Sequence, residues 1–307
     1  MSGRERERGA RTPSEDLETF ERCRPDLLAL AYRMLGDVGR AQDIVQEAWL
    51  RWHHRPADVA IEVPKAFLVT VVTRLALTEL GSARARKEES RSDRLPEPVD
   101  LTSAGMDRLE TLDQLSMAFL VVLEKLTPAE RAVLLLHDVF DFTHAEISEL
   151  VGKSPAACRK LLERARQSVA AGRRMFTATH AEHTRLLHAF AGAATAGDIG
   201  ALVALLADDA MLVTDGGRFG REVDGTRNLP RPLEGAARVA AFIAATSRRA
   251  DLTAEPRELN GQPALVFHRA GQPFAALLLA VADGKIQRVF FHADVERLRF
   301  LGTPASA

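Results

Sequence analysis

The stretch Thr143–Arg166, THAEISELVGKSPAACRKLLERAR, constrains the fold of this chain more than any other. Thr143 and Glu146 form a capping box, in which hydroxyl and carboxylate each take a backbone N–H that a helix start leaves unpaired. Ile147, Leu150 and Val151 give the helix that follows one apolar edge. Gly152 ends it, because glycine accepts the left-handed turn after a helix. Ser154-Pro155 starts a second helix, with Ser154 as N-cap and Pro155 where a missing N–H costs nothing. On that helix Cys158, Leu161, Leu162, Ala165 and Val169 share one face, and Arg159, Lys160, Glu163 and Gln167 the other. Two short helices, a tight glycine turn and a polar-basic outer face describe a helix-turn-helix. An ordinary helical hairpin in a bundle would carry the same pattern.

Charge bears on that choice. The net charge of −1 does not advertise nucleic-acid binding, but Arg159 to Arg174 holds six basic residues against the single acid Glu163. Phosphates feel a local patch within a Debye length of about 8–10 Å, not the chain total. At 307 residues the chain predicts two or three domains. Its two cysteines, Cys23 and Cys158, have no His or Cys neighbours at metal spacing, so a reducing compartment is expected and a metal site is not. No apolar run reaches membrane-spanning length, and the charged N-terminus has no apolar core of a secretory signal, so the expectation is cytoplasmic with no membrane partner.

Residues 1–14 read as disordered. Leu17, Phe20, Leu27, Leu28, Ala31, Met34 and Leu35 then repeat at helical spacing, and Gly36-Asp37 breaks the run. In the next helix, Val38 to Trp52, Ile44, Val45, Ala48, Trp49 and Trp52 form a core face. Asp43, Gln46, Glu47 and Leu50 lie opposite: a leucine among polar side chains, either a docking surface or a solvated face with one stray leucine. Pro64 opens a third helix, apolar almost all round, whose rim and sequel carry Arg74, Arg84, Arg86 and Lys87. Residues 91–115 read as a linker in which Leu95-Pro96-Glu97-Pro98-Val99 is stiff and extended, since each proline restricts its predecessor. Thr127-Pro128-Ala129-Glu130 is a second capping box.

Beyond Arg174 the pattern changes. Two helices span 182–207, with Gly197-Asp198 between them; strands are expected at 210–214, 252–259, 263–269, 274–282 and 286–292, with a helix from Leu233 to Arg248. Asn260-Gly261 and Asp283-Gly284 are hairpin turn signals. This is an α+β unit after two all-α ones.

Several of these segments resemble one family. Phe20 to Trp52, with DIVQEAWLRW at 43–52, is similar to the first half of region 2 of extracytoplasmic-function (ECF) sigma factors of RNA polymerase; Pro64 to Lys87 resembles its second half, and 126–166 resembles region 4. Leu95-Pro96-Glu97-Pro98 resembles the WLPEP-like signature of one subgroup, with Arg94 in place of the tryptophan. Residues 183–300 resemble a SnoaL-like, NTF2-type cone, as in sigma factors of the sigma J type: Asp215-Gly216-Gly217-Arg218 matches a DGGG-type loop, and His292 to Leu298 is a degraded form of an NPDKL-like motif.

The resemblance implies a multidomain chain: region 2 at 15–90, linker at 91–115, region 4 at 116–176 and the cone at 183–302. It implies no catalysis and no cofactor. RNA polymerase core would bind, through its largest-subunit clamp helices, at Asp43, Gln46, Glu47 and Leu50. Promoter DNA would be met at the −10 element by Arg74, Arg84, Arg86 and Lys87, and at the −35 element by Ser154, Ala156, Arg159 and Lys160. The cone would modulate initiation, with or without a small ligand. Two other readings stay open on the residues alone: a DNA-binding repressor or activator with a ligand-binding cone, or a cyclase- or isomerase-like enzyme with a DNA-binding arm, using Asp215, His268, His292 and Asp294 around a pocket.

Overall fold

The computed structural model describes residues 13–56, 61–82, 95–106, 115–172, 178–215, 222–223, 226–227, 229, 231–247 and 252–301. Three helices come first: α1 (Pro13–Leu35), α2 (Val38–His53) and α3 (Pro64–Gly81). Gly36, at φ 64°, makes the left-handed turn between α1 and α2, and Asp37 caps α2 by accepting from the Arg40 N–H at 2.9 Å. Trp52 and Tyr32 are fully buried in this bundle.

Among the described residues, four helices follow the linker: α4 (Met117–Glu124), α5 (Pro128–Asp138), α6 (His144–Val151) and α7 (Pro155–Gly172). Both expected capping boxes form, Thr127 with Glu130 and Thr143 with Glu146, and Gly152 closes α6 in the left-handed conformation at φ 67°. Replacing Thr143 by alanine removes the acceptor of the Glu146 N–H at the start of α6, while the backbone N–H of residue 143 keeps the Glu146 carboxylate. It is expected to destabilise α6 and the helix packed on it by about 1 kcal/mol, as a chemical-denaturation midpoint would register.

The two helical groups do not stand apart. α1 packs on α4 and α5, and α3 packs on α5 and α6. One continuous apolar core runs from Leu27, Trp52 and Val72 through Val99 and Leu101 into Leu123, Leu135, Ile147 and Leu162.

The rest is α+β: α8 (His180–Ala196), α9 (Ile199–Leu205) and α10 (Ala236–Thr246) against a six-stranded sheet. Its strands are β1 (Leu206–Asp215), β4 (Leu233–Glu234), β5 (Thr253–Leu259), β6 (Gln262–Arg269), β7 (Gln272–Ala282) and β8 (Lys285–His292), in the order β4-β1-β8-β7-β6-β5. β2 (Glu222–Val223) and β3 (Thr226–Arg227) form a separate two-stranded ribbon. A 3₁₀ helix, Val295–Leu301, ends the described chain.

β5 to β8 form a meander, and β8 pairs with β1 in parallel. Asn260-Gly261 and Asp283-Gly284 both turn with two successive positive φ angles, the geometry their side chains favour. Ala270-Gly271 does the same without an Asn or Asp to announce it. One expectation needs correction: Leu233 does not begin a helix. It pairs with Leu212 across β4 and β1, and the helix begins at Ala236 once Gly235, at φ 95°, has turned the chain.

The sheet has two apolar faces, read by alternation along each strand. Leu265, Leu277, Leu279, Ile286 and Val289 face α8, α9 and α10. Ala264, Val266, Ala276, Leu278 and Phe290 face the other way, packed with Leu95, Met117, Leu298 and Leu301. The second face is what fastens the sheet to the rest of the molecule.

Candidate functional site: two reading heads and the linker between them

On α2 the apolar arc is buried and the opposite arc faces solvent. Asp43 and Gln46 are exposed, Glu47 is half-buried and pairs with Arg51 at 2.8 Å, and Leu50 is 41 % exposed. Among the described residues α2 packs chiefly on α1 and α3, and it is α1 and α3 that make the main contacts to α5 and α6. On α3, Leu68, Val69, Val72 and Ala76 are buried and Arg74 is exposed. Arg84, Arg86 and Lys87 lie outside the described residues, as do Gly216, Gly217 and Arg218.

On α7, Ser154, Ala156, Arg159 and Lys160 are all exposed and Cys158 is fully buried. The basic run read from sequence is divided in the structure. Arg164 pairs with Glu130 at 2.8 Å and Arg166 with Asp138 at 2.5 Å, so both tie α7 to α5. That pairing leaves Arg159 and Lys160 as the cations at the outward start of the helix.

The linker is the least expected part. Residues 95–99 are buried throughout. An extended buried segment has no ladder of its own, so every N–H and C=O must find a partner elsewhere. The sequence Leu-Pro-Glu-Pro-Val lowers this demand, because the two prolines bring no N–H and three donors remain. The remaining donors are all met. Leu95 N–H donates to Asp215 Oδ2 at 3.2 Å, Glu97 N–H to the Gly36 carbonyl at 2.8 Å, and Val99 N–H to Asn260 Oδ1 at 3.1 Å. The carbonyls of the same three residues accept from Arg297, from the Tyr32 hydroxyl at 2.5 Å and from the Asn260 N–H at 2.8 Å. The partners therefore come alternately from the cone, from α1 and the turn after it, and from the cone again.

Four side chains organise this clamp. Arg297 donates to Asp215 Oδ2 at 2.8 Å, to the Leu95 carbonyl and to the Gly36 carbonyl at 2.8 Å, so one guanidinium touches cone, linker and first helical group. Asn260 sits in a hairpin turn at φ 56° and donates from Nδ2 to the Tyr32 hydroxyl at 2.7 Å. Gln262 is oriented by the Leu279 carbonyl at 2.8 Å and accepts the Met117 N–H at 3.3 Å, one of the unpaired donors at the start of α4. Glu97 accepts the Val38 N–H at 2.6 Å at the start of α2, and burial pushes its carboxyl up to about 7. Burial also pushes the Tyr32 phenol up, against the hydrogen bond from Asn260.

Tyr32→Phe would leave the Asn260 amide and the Glu97 carbonyl without their buried partner. A loss of about 1–3 kcal/mol is expected, as a lowered midpoint in urea unfolding followed at the two tryptophans.

The three candidate acid/base groups on the strands, Asp215, His268 and His292, do not face the helix side of the cone. Asp215 and His292 are register partners on the face that carries Val213 and Phe290, and Asp215 is committed to Arg297 and Leu95. His268 shares the face of Ala264 and Val266, with Nε2 3.7 Å from Glu255. Asp294 accepts from the Glu296 N–H at 3.2 Å and starts the 3₁₀ helix. The expectation that these four line a pocket is corrected: strand alternation turns Asp215, His292 and His268 to the opposite face, where the chain uses Asp215 to hold its linker. Burial pushes the His292 imidazole down to about 3, so it stays neutral.

Sequence reading missed Arg297, Asn260, Gln262 and Tyr32 as members of one site, since they are separated by up to 265 positions in the chain. The one available signal was the motif ending at Leu298, in which Arg297 holds the place of the lysine.

The helical groups define the class. Residues 19–86 match the family model "Sigma-70 region 2", and residues 116–169 match "Sigma-70, region 4". Two full-length comparisons narrow it. The chain is 34 % identical over 309 residues to the ECF RNA polymerase sigma factor SigJ of Mycobacterium tuberculosis (strain ATCC 25618 / H37Rv), covering 94 % of each. It is 30 % identical over 266 residues to the probable ECF RNA polymerase sigma factor SigI of Mycobacterium tuberculosis (strain CDC 1551 / Oshkosh), covering 86 % of this chain and 88 % of the relative. The crystal structure of Mycobacterium tuberculosis SigJ superposes with a TM-score of 0.71 at 29 % identity, over 94 % of this chain and 100 % of that one. The chain belongs to the ECF RNA polymerase sigma factors. Its work is transcription initiation, with RNA polymerase core and promoter DNA as partners, and it carries a C-terminal α+β domain beyond regions 2 and 4.

Proposed function

We propose that the structure is the restrained form of this sigma factor, in which the fused cone holds the linker so that regions 2 and 4 stay together. The observation that carries this is the single apolar core joining α1 and α3 to α4–α7. Promoter elements centred at −10 and −35 lie about 25 base pairs apart, roughly 85 Å along B-DNA. A compact chain of this length has a radius of gyration of about 19 Å, too small for two heads in direct contact to reach both elements. Initiation therefore requires the heads to separate, and the clamp around 95–99 opposes that. Separated heads on one tether would then bind cooperatively, each raising the effective concentration of the other.

In this reading Asp43, Gln46, Glu47 and Leu50 dock on the clamp helices of the polymerase largest subunit. Arg74, Arg84, Arg86 and Lys87 follow the backbone of the −10 strand, and Ser154, Ala156, Arg159 and Lys160 enter the major groove at −35. Arg159→Ala is expected to cost about 1–3 kcal/mol on the cognate −35 sequence and less on a scrambled one, if it reads a base edge. Lys160→Ala should weaken both equally and lower the salt slope by about one. Fluorescence anisotropy with duplexes at several salt concentrations separates the two.

The domain limits are those drawn above, and the site of action is the cytoplasm, where polymerase and promoters are. We assign the cone no enzymatic role, because Asp215, His268 and His292 lie on the sheet face turned away from its helices. Run-off transcription with and without residues 183–307 tests the proposal. Promoter output should rise without the cone, and unchanged output would remove the restraint.

A further inference from the structure

We propose that the hold of the linker on region 2 is proton-sensitive, and that the sensing group is the Glu97 carboxyl. This rests on the restrained form described above. Glu97 is 2 % exposed, and its N–H, C=O and carboxylate are all bonded to region 2, to Gly36, Tyr32 and Val38. Among the described residues no cation lies within ion-pair distance of it.

The charges around it do not replace one. Asp37, at the start of α2, is like-charged and opposes ionisation. Arg297 and Arg299, on the 3₁₀ helix, favour it, but Arg297 is already shared among Asp215, Leu95 and Gly36. Glu124 of α4 lies beside Gly36, and Arg131 of α5 is spent on the Met34 carbonyl. A carboxyl so placed is held more easily as the neutral acid than as the anion, in line with its upward displacement by burial to about 7.

The sign follows. In the open form Glu97 is solvated and has the ordinary value of 4.5. Its contribution to the closed form is complete below that value and is lost as pH rises through about 7. Within that window the closed-to-open ratio falls by up to roughly tenfold per pH unit. Any exposure of His292 on opening acts in the opposite direction, because a buried neutral imidazole loses its contribution as pH falls below 6.5. A comparison at constant His292 separates the two.

Glu97→Gln keeps the acceptor for the Val38 N–H and removes the charge. In the full chain, with fluorophores on regions 2 and 4, the wild type is expected to lose energy transfer between pH 5 and pH 7.5 relative to Glu97→Gln, with the curves converging at low pH. Parallel pH profiles for the two proteins would overturn the proposal, as would a Glu97→Gln chain that is folded yet open at pH 5. If Glu97→Gln does not fold, the wild type decides. Infrared spectra at pH 6 should contain a protonated carboxylic acid band that disappears in Arg297→Ala, and absence of that band in the folded wild type refutes the idea.

Discussion

Arg297→Ala is expected to release residues 95–99 and let regions 2 and 4 part. The substitution removes the donor to the Leu95 and Gly36 carbonyls and takes the Arg297 guanidinium away from the buried Asp215 carboxylate. Breaking a buried pair on one side costs about 3–5 kcal/mol, because the remaining charge loses its compensation. Both partners are at least nine-tenths buried, so solvent screening does little to reduce this. The cost falls on the closed form, since in the open form Asp215 can reach water. The closed-to-open ratio should drop roughly a hundredfold or more, at about 1.4 kcal/mol per factor of ten. Run-off transcription from a cognate promoter should rise, with the cone still folded by circular dichroism. Asp215→Asn, which removes the charge and keeps a polar group for Leu95, should give a smaller effect of the same sign.

The second large effect lies at the opposite end of region 2. Reversing Asp43 and Glu47 to lysine on the outer arc of α2 should abolish association with core polymerase, with the fold intact. Neither side chain contributes to a core, so stability should change by less than about 0.5 kcal/mol, the usual range for surface positions. If this arc meets a basic helix pair, like-charge contact in its place costs several kcal/mol. Leu50→Ala should cost about 2 kcal/mol if Leu50 fills an apolar pocket at the centre of the contact. Pull-down of core polymerase with the full chain measures both, and retained binding by the double reversal would move the docking surface elsewhere. DNA binding by the isolated −35 duplex should be unaffected, because α7 presents Arg159 and Lys160 on a separate surface.

Much of this architecture could be read from residue order. The caps at Thr127 and Thr143, the glycine stop at Gly152 and the two Asx-Gly hairpins are local devices, and each formed where its chemistry required. The exposed arc of α2 and the outer face of α7 follow from helical periodicity alone. The clamp was not legible, for a physical reason. Its bonds join positions such as Tyr32 to Asn260 and Gly36 to Arg297, and no periodicity links residues brought together only by tertiary packing. The linker was equally hard to place. Proline-rich, acid-containing composition suggests a solvated spacer, yet alternating prolines are what let an extended strand be buried with few donors to satisfy. The same limit explains the acid and histidine side chains of the cone. Sequence identified them as chemically able, but strand alternation decided which face they occupy.

Under the proposed restraint the free chain keeps its two reading heads together and initiation separates them. Time-resolved energy transfer between a fluorophore at Glu62→Cys in region 2 and one at Ser168→Cys in region 4 measures this directly, both positions being exposed in the structure. At pH 6 the free chain should give a single short-distance population, replaced by a long-distance one when core polymerase and promoter DNA are both present. A free chain already at the long distance, or a promoter complex still at the short one, would contradict it.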